Sequence, residues 1–363
     1  MRLISPLLRQ VVYPTLSAIG YLRSRSGDGQ LSIVTYHGVV PAGYAQRDSA
    51  LDGNLVSADR LRAQLRLLKG RYHVISPETF RSWLRNKERL PPYSVLLTCD
   101  DGLRNVLTDM LPVLLDEGVR CIFFVTGASA SESRTMLWYE DLFLLFLSAP
   151  AGNFEVSYGG VSILAELRSV EQRRAVWWNS VKQLSRLDPG TRTSFVRFAR
   201  GQFGLLERDL DSEGPACRRF GLLTALELRE LTAAGMSIGA HTLSHPVLSQ
   251  ASPETAFAEI SGSRSRLESV LNATVWAFAY PFGDAESVTP QILEMPRQAG
   301  FEAAFMNDAG GFGAALLPFA LPRVHVTAKM LLPEFEASVS GFHERLRRRA
   351  GRRADSIGTT QGR

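Results

Sequence analysis

The sequence predicts an α/β fold of repeated strand-then-helix units, which favours a parallel sheet or barrel. Three observations carry this. Short apolar runs alternate with helical stretches along the chain. With 363 residues, 45% of them hydrophobic, the chain can bury a large core, as one big α/β domain or two ordinary ones. Reactive residues also gather at the ends of the apolar runs, where the strands of a (β/α) barrel open onto one face.

In chain order, LSIVTYH (31–37) reads as the first strand, and SADRLRAQLRLLKG (57–70) as a helix with a serine cap and a glycine stop. SVLLT is the next strand, with Val95, Leu96 and Leu97 buried; MLPVLLDEG is a helix and CIFFVTG (121–127) a third strand. TALELRELTAAG (224–235) is a helix leading into the strand MSIGA (236–240). SPETAFAEISGSRSRLESVL is a helix with Ser252 and Pro253 at its cap and first turn. TVWAFAYP, AAFM and LPRVHV complete the strands. Between Gly127 and about Gly221 the rhythm breaks into LWYEDLFLLFL, VEQRRAVWWNSVKQLSRL and TSFVRFARGQFG, which have a helical period. This reads as a helical insertion, about residues 128–220. Its aromatics pack chiefly as the core of a small subdomain; lining a ligand groove or touching lipid are the alternatives.

The expected organisation is an apolar, amphipathic segment over 1–30, a barrel over 31–340 that includes the insertion, and a basic disordered tail over 341–363. In the first segment Arg9 and Pro14 interrupt the apolar run, so neither a signal peptide nor a spanning helix is expected. The helix rests on a membrane or packs on the domain's own surface. Basic side chains outnumber acidic ones 41 to 36, and much of the excess lies in the tail. No basic-aromatic interleaving elsewhere suggests a nucleic-acid groove, and no obligate protein partner is evident. Cys99, Cys121 and Cys217 form no CxxC pair and no even framework, which argues against a disulfide scaffold and for a reducing compartment. The expected location is cytoplasmic, with membrane association at the inner face as an option.

The position of the polar residues is the main functional signal. The first strand delivers His37, the second Asp100 and Asp101, and MSIGA delivers His241. TVWAFA delivers Tyr280, Pro281, Phe282 and Gly283, while LPRVHV carries Arg323 and His325. Adjacent carboxylates at the mouth of an apolar strand repel each other and resist desolvation, so the doublet needs a reason. His241-Thr-Leu-Ser-His245 places two imidazoles four apart, a spacing that binds one metal when both face the same way on a helical turn. With one Asp from a neighbouring strand they make a two-His, one-carboxylate site with open positions. Zn²⁺ is the default ion, and Fe²⁺, Co²⁺ or Ni²⁺ suit the same ligands.

TCDDG, HTLSH and the YPFG turn, in this order and on these strand ends, resemble the polysaccharide deacetylases, also called the NodB-homology or carbohydrate esterase 4 family. The resemblance covers about 31–127 and 221–330. It implies a deformed, TIM-like (β/α)7-type barrel and metal-dependent removal of N-acetyl groups from amino sugars. Carried over, Asp100 is the catalytic base, and Asp101, His241 and His245 hold the metal. A backbone N–H at Tyr280 helps the metal stabilise the oxyanion. His37, following a Tyr-His strand end, is the favoured acid; His325 is the alternative. Three departures stand out. Cys99 replaces an aromatic, the late-motif tryptophan has no counterpart near Asn307 and Asp308, and Ala279 stands where an arginine usually pairs with the base. Arg323 is a candidate to supply that charge. The expected substrate is an acetylated amino sugar of a polysaccharide, an exopolysaccharide, or a lipid-linked or nucleotide-sugar precursor. O-acetyl ester or formyl hydrolysis by the same site, and a catalytically silent carbohydrate-binding barrel, are the alternatives.

Overall fold

The structure, a computed structural model, describes residues 6–24, 31–206, 210, 212–307 and 316–346. Among the described residues ten strands are formed: β1 (Leu31–Tyr36), β2 (His73–Ile75), β3 (Ser94–Cys99), β4 (Ile122–Val125), β5 (Asn153–Tyr158), β6 (Val161–Glu166), β7 (Ser237–Ala240), β8 (Ala277–Ala279), β9 (Ala303–Phe305) and β10 (Val324–His325). Eight of them make one curled sheet in the order β10-β1-β3-β4-β7-β8-β9, with β2 beside the first half of β3. Every pairing in it is parallel. After β9 the chain bridges Phe305 through Leu321 and then pairs with β1 through β10. The segment 318–325 therefore carries hydrogen bonding from one edge strand to the other, and the α/β architecture is that of a barrel.

Strand alternation sorts the core into two shells. Val95, Leu97, Cys99, Phe123, Val125, Ala240 and Phe278 face outward against the helices. Ile33, Leu96, Ile122, Phe124, Ala277, Ala279 and Phe305 fill the interior. The interior row of β3 is Leu96, then Thr98, and the next residue in that row is Asp100. Its N–H continues the ladder by donating to Tyr36 O at 2.9 Å. An acid thus extends a row of buried side chains.

Several helices start as their sequences require. The Ser57 side chain accepts from Arg60 N at 3.2 Å, Ser252 caps the helix Pro253–Leu271, and Thr224 forms a capping box with Glu227. Gly70, expected as a stop, lies inside the helix Ala58–Arg71; the helix ends where Tyr72 N bonds Leu68 O and the chain runs straight into β2.

The region between β4 and β7 is not purely helical. Helices Trp138–Ser148, Val170–Leu184 and Pro189–Gln202 surround an antiparallel hairpin of β5 and β6. Its turn is Gly159-Gly160, both at positive φ (62° and 79°), the geometry a two-residue hairpin favours. Leu142, Phe146, Val156, Ile163, Val181 and Phe195 form a separate buried cluster there. At the N-terminus, Tyr13 and Leu22 pack against Ala337 of the helix Leu332–Val339, so the segment covers the domain's own surface, while Leu7, Val11 and Ile19 remain exposed. Most of the basic tail lies outside the described residues. Among them, no helix is long and apolar enough to cross a membrane.

Gly239, in the interior row of β7, faces Phe124; an added Cβ would lie 2.4 Å from that ring and 3.1 Å from Ala277 O. Gly239→Ala is therefore expected to destabilise the barrel by about 1–3 kcal/mol. A lowered urea midpoint at unchanged slope would register it, and an unchanged midpoint would contradict this packing.

Candidate metal centre and active site

Asp100 and Asp101 part company at the end of β3. Asp100 keeps the extended ladder, whereas Asp101 and Gly102 both take positive φ (78° and 76°) and turn the chain sharply. Aspartate tolerates that conformation better than most residues. At Gly102 a side chain would press on Val125 at 3.0 Å. The result is two neighbouring carboxylates that meet different partners.

Arg323, fully buried just before β10, grips Asp100 with both prongs. Nη1 donates to Oδ1 at 2.7 Å and Nη2 to Oδ2 at 2.6 Å. Nη1 also donates to Thr98 Oγ1 at 3.2 Å, and Nε to Met306 O at 2.8 Å. The guanidinium lies over the Phe124 ring, 5.5 Å from its centroid. Burial alone would raise the Asp100 carboxyl. The Arg323 charge and hydrogen bonds, aided by His241 and His37, outweigh it and hold the group below the ordinary carboxylate range.

Asp101 turns toward the loop after β7. Its Oδ1 lies 3.3 Å from His245 Nε2 and 3.6 Å from His241 Nε2. One ligand atom from each of the three residues lies within 4.8 Å of the others, and all three residues are buried. Burial raises the Asp101 carboxyl, but hydrogen bonds with His241 and His245 hold it well below its usual range. His241 Nδ1 donates to Ala279 O at 2.7 Å, which leaves Nε2 of the neutral ring with its lone pair toward Asp101. Ala279, which stands where the resemblance predicts an arginine, thus orients a histidine through its backbone. The donor set of two imidazole nitrogens and a carboxylate oxygen fits a divalent transition ion.

The two histidines do not sit on a helical turn, contrary to the simplest reading of their spacing. Thr242 and His245 have positive φ (64° and 58°), and the loop is pinned both from outside and by a bond of its own. Gly127 N donates to Thr242 O at 2.8 Å, His245 N to Thr242 Oγ1 at 2.9 Å, and Ser244 N to Glu259 Oε2 at 2.8 Å. A folded loop, not helical periodicity, brings the rings together.

Tyr280 requires a second correction. Its N–H donates to Phe305 O at 3.1 Å as part of the β8–β9 ladder, so it is not free to meet an oxyanion. Pro281 has no N–H. Phe282, at φ 61°, has one that makes no hydrogen bond among the described residues.

His37 and His325 face each other with ring centroids 4.8 Å apart. Burial, reinforced by the His37 charge, pushes the His325 imidazole down to about 3, so it is neutral in ordinary buffers. His37, Asp100, Asp101, His241, His245 and His325 line one cavity of about 530 Å³, which neither Arg323 nor Tyr280 reaches. Its far wall comes from the insertion: Tyr139, Glu140, Trp177 and Trp178 line it with Phe282. The sequence offered a ligand groove lined by the insertion's aromatics only as an alternative to core packing and did not single out these residues, because a core aromatic and a wall aromatic look alike in periodicity. Cys99 and Cys121 are free and sealed in the outer core, and burial raises both thiols well above their usual range, which disfavours a thiolate nucleophile.

Fold and site define a class: a parallel (β/α) barrel with a buried Asp-His-His cluster that could hold a metal ion and an arginine-paired aspartate at its C-terminal strand ends. A model of the polysaccharide deacetylase family matches residues 211–304, which include His241 and His245. Three solved structures are similar in fold. They are the Streptococcus pyogenes deacetylase PplD in complex with acetate (18% identity, 86% of this chain and 99% of that one, TM-score 0.52), IcaB from Ammonifex degensii (19%, 87% and 98%, 0.52), and a de-N-acetylase from Aggregatibacter actinomycetemcomitans (13%, 85% and 99%, 0.52). No curated protein sequence matches the chain.

Arg323→Met leaves a buried carboxylate without its cation, and is expected to cost about 3–5 kcal/mol at neutral pH. The sign of its pH dependence follows from the lowered Asp100 group: the pair's stabilisation is full above the ordinary carboxylate value and is lost as pH falls through the lowered one. The gap between wild type and variant, measured by denaturant titration, should therefore narrow as pH falls from neutral through the carboxylate range, starting where the unpaired, buried Asp100 of the variant takes up its proton. A gap that widens there would contradict the pairing.

Proposed function

We propose that this chain is a metal-dependent hydrolase that removes N-acetyl groups from amino sugars of a polysaccharide, an exopolysaccharide, or a lipid-linked or nucleotide-sugar precursor. The observation that carries this reading is the separation of the two acids, one held by Arg323 and the other by His241 and His245. A divalent ion held by Asp101, His241 and His245, with Zn²⁺ expected, would supply Lewis-acid polarisation and a water of lowered pKa. Matching of the polysaccharide deacetylase family over residues 211–304 supports the bond class.

The chain's own residues then have distinct tasks. Asp100, kept ionised by Arg323, accepts the proton of the attacking water. The acetyl carbonyl oxygen, as it gains charge, meets the free N–H of Phe282 instead of Tyr280. The departing amine takes its proton from His37; the strongly lowered His325 supports this choice, since a neutral imidazole has no extra proton to give. Such a pair of histidines still divides the work, with His325 shaping the surroundings of His37. A silent sugar-binding barrel drew its support from the missing arginine, and the Arg323 pair removes that support.

The test separates the two acids. Asp101→Asn should bind metal at least tenfold more weakly. Asp100→Asn should retain one equivalent of metal while acetate release from N-acetylated amino-sugar oligomers falls by about 10²–10⁴. Equal metal loss in both variants, or full turnover without Asp100, would sink the assignment.

A further inference from the structure

Once Tyr280 N–H is committed to the sheet, the hole for a developing oxyanion has backbone N–H of Phe282 and no second donor from the YPFG turn. The insertion brings one. Tyr139 lines the catalytic cavity, with its ring 4.9 Å from the His245 ring and 5.8 Å from that of Phe282. Its hydroxyl makes no hydrogen bond among the described residues, yet it is not one of the sealed polar atoms, so it stays accessible from the cavity. A phenol packed into a half-buried wall normally finds a partner for its O–H. Here the partner is left to whatever enters the cavity.

The backbone at Tyr139 is held from two sides. Trp177 Nε1 donates to its backbone carbonyl at 2.7 Å. The next residue, Glu140, is buried and clamped by Arg219, whose Nη2 donates to Oε1 at 2.7 Å while its Nε donates to Asp52 Oδ1 at 2.7 Å. Asp52 ends the short helix Ser49–Asp52 in the connection after β1, so the clamp locks the start of the helix Trp138–Ser148 onto the barrel. A preorganised donor needs this kind of support, because its contribution depends on not having to reorient during reaction.

We propose that Tyr139 is a catalytic residue supplied by the insertion, its O–H donating to the acyl oxygen as that oxygen becomes an oxyanion. The inference rests on the hydrolytic reading above. Water oxygen bonds to the acyl carbon, the carbonyl π pair moves to oxygen, and the water proton passes to Asp100. Tyr139 keeps its proton throughout and contributes a hydrogen bond. When the C–N bond breaks, the oxygen's electron pair re-forms the carbonyl and the nitrogen leaves with a proton from His37, giving acetate and an amine. The insertion is thereby part of the reaction centre as well as its wall.

The variants are Tyr139→Phe, which keeps the ring on His245 and removes one oxygen, and Tyr139→Ala, which removes both. With zinc-loaded full-length protein and an N-acetylglucosamine oligomer, Tyr139→Phe should lower kcat about 10²-fold, at unchanged KM, metal content and Tm. Affinity for a methylphosphonamidate analogue of the substrate, a mimic of the tetrahedral oxyanion, should fall by a similar factor, while affinity for the deacetylated oligomer stays the same. Activity and analogue binding within twofold of wild type in Tyr139→Phe would overturn the proposal, even with Tyr139→Ala impaired, since that pattern marks a purely packing role. Absence of acetate release from wild-type protein on any acetylated amino sugar would overturn the hydrolytic reading and this one together.

Discussion

The buried pair of Asp100 and Arg323 is the interaction on which the site depends. A carboxylate in the interior row of a barrel strand is costly to desolvate and is stable only with a well-placed counter-charge. Arg323 provides two short, parallel hydrogen bonds and is itself anchored by Thr98 and Met306 O. Those anchors lie on or next to β3 and β9, and Arg323 leads into β10. The pair therefore requires that the sheet curl far enough for the segment after β9 to reach β1. Barrel closure is thereby what brings the counter-charge to Asp100.

With Asp100 fixed in this way, Asp101 is released for a different task. Its left-handed backbone aims its carboxylate across the mouth of the barrel at two imidazoles held by an irregular, externally braced loop. Like charges one residue apart are tolerable because each has a separate stabilising environment. The insertion completes the enclosure. Its aromatic wall continues from Trp177 through Trp178 and Phe282 to His245, each ring within 6 Å of the next (5.8, 5.4 and 4.9 Å). The Arg219 clamp on Asp52 and Glu140 keeps that wall in place.

Much of this was legible in the sequence, for local reasons. Apolar runs such as SVLLT and MSIGA announce buried parallel strands, and the residues that follow them fall on one face whatever the exact curvature. Hence Asp100, Asp101, His241, His245 and His37 could be grouped before any geometry was known. Features set by longer-range contacts were less accessible. The HTLSH loop owes its shape to Gly127 and Glu259, which no periodicity in that stretch reveals. The fate of Tyr280 N–H depends on β9, and Arg323 could be named only as one candidate because its reach depends on closure. The β5–β6 hairpin is different: SYGGVS carries a two-glycine turn between alternating residues, a signal that the surrounding helical aromatics obscured.

The central claim is the division of labour between the adjacent acids, and it is tested most directly by a crystal structure of the zinc-loaded protein with anomalous data at the metal edge. One ion is expected at about 2.0–2.2 Å from Asp101, His241 and His245, with both Asp100 oxygens still on Arg323. An ion ligated by Asp100, or an Asp100–Arg323 pair broken by metal binding, would contradict it.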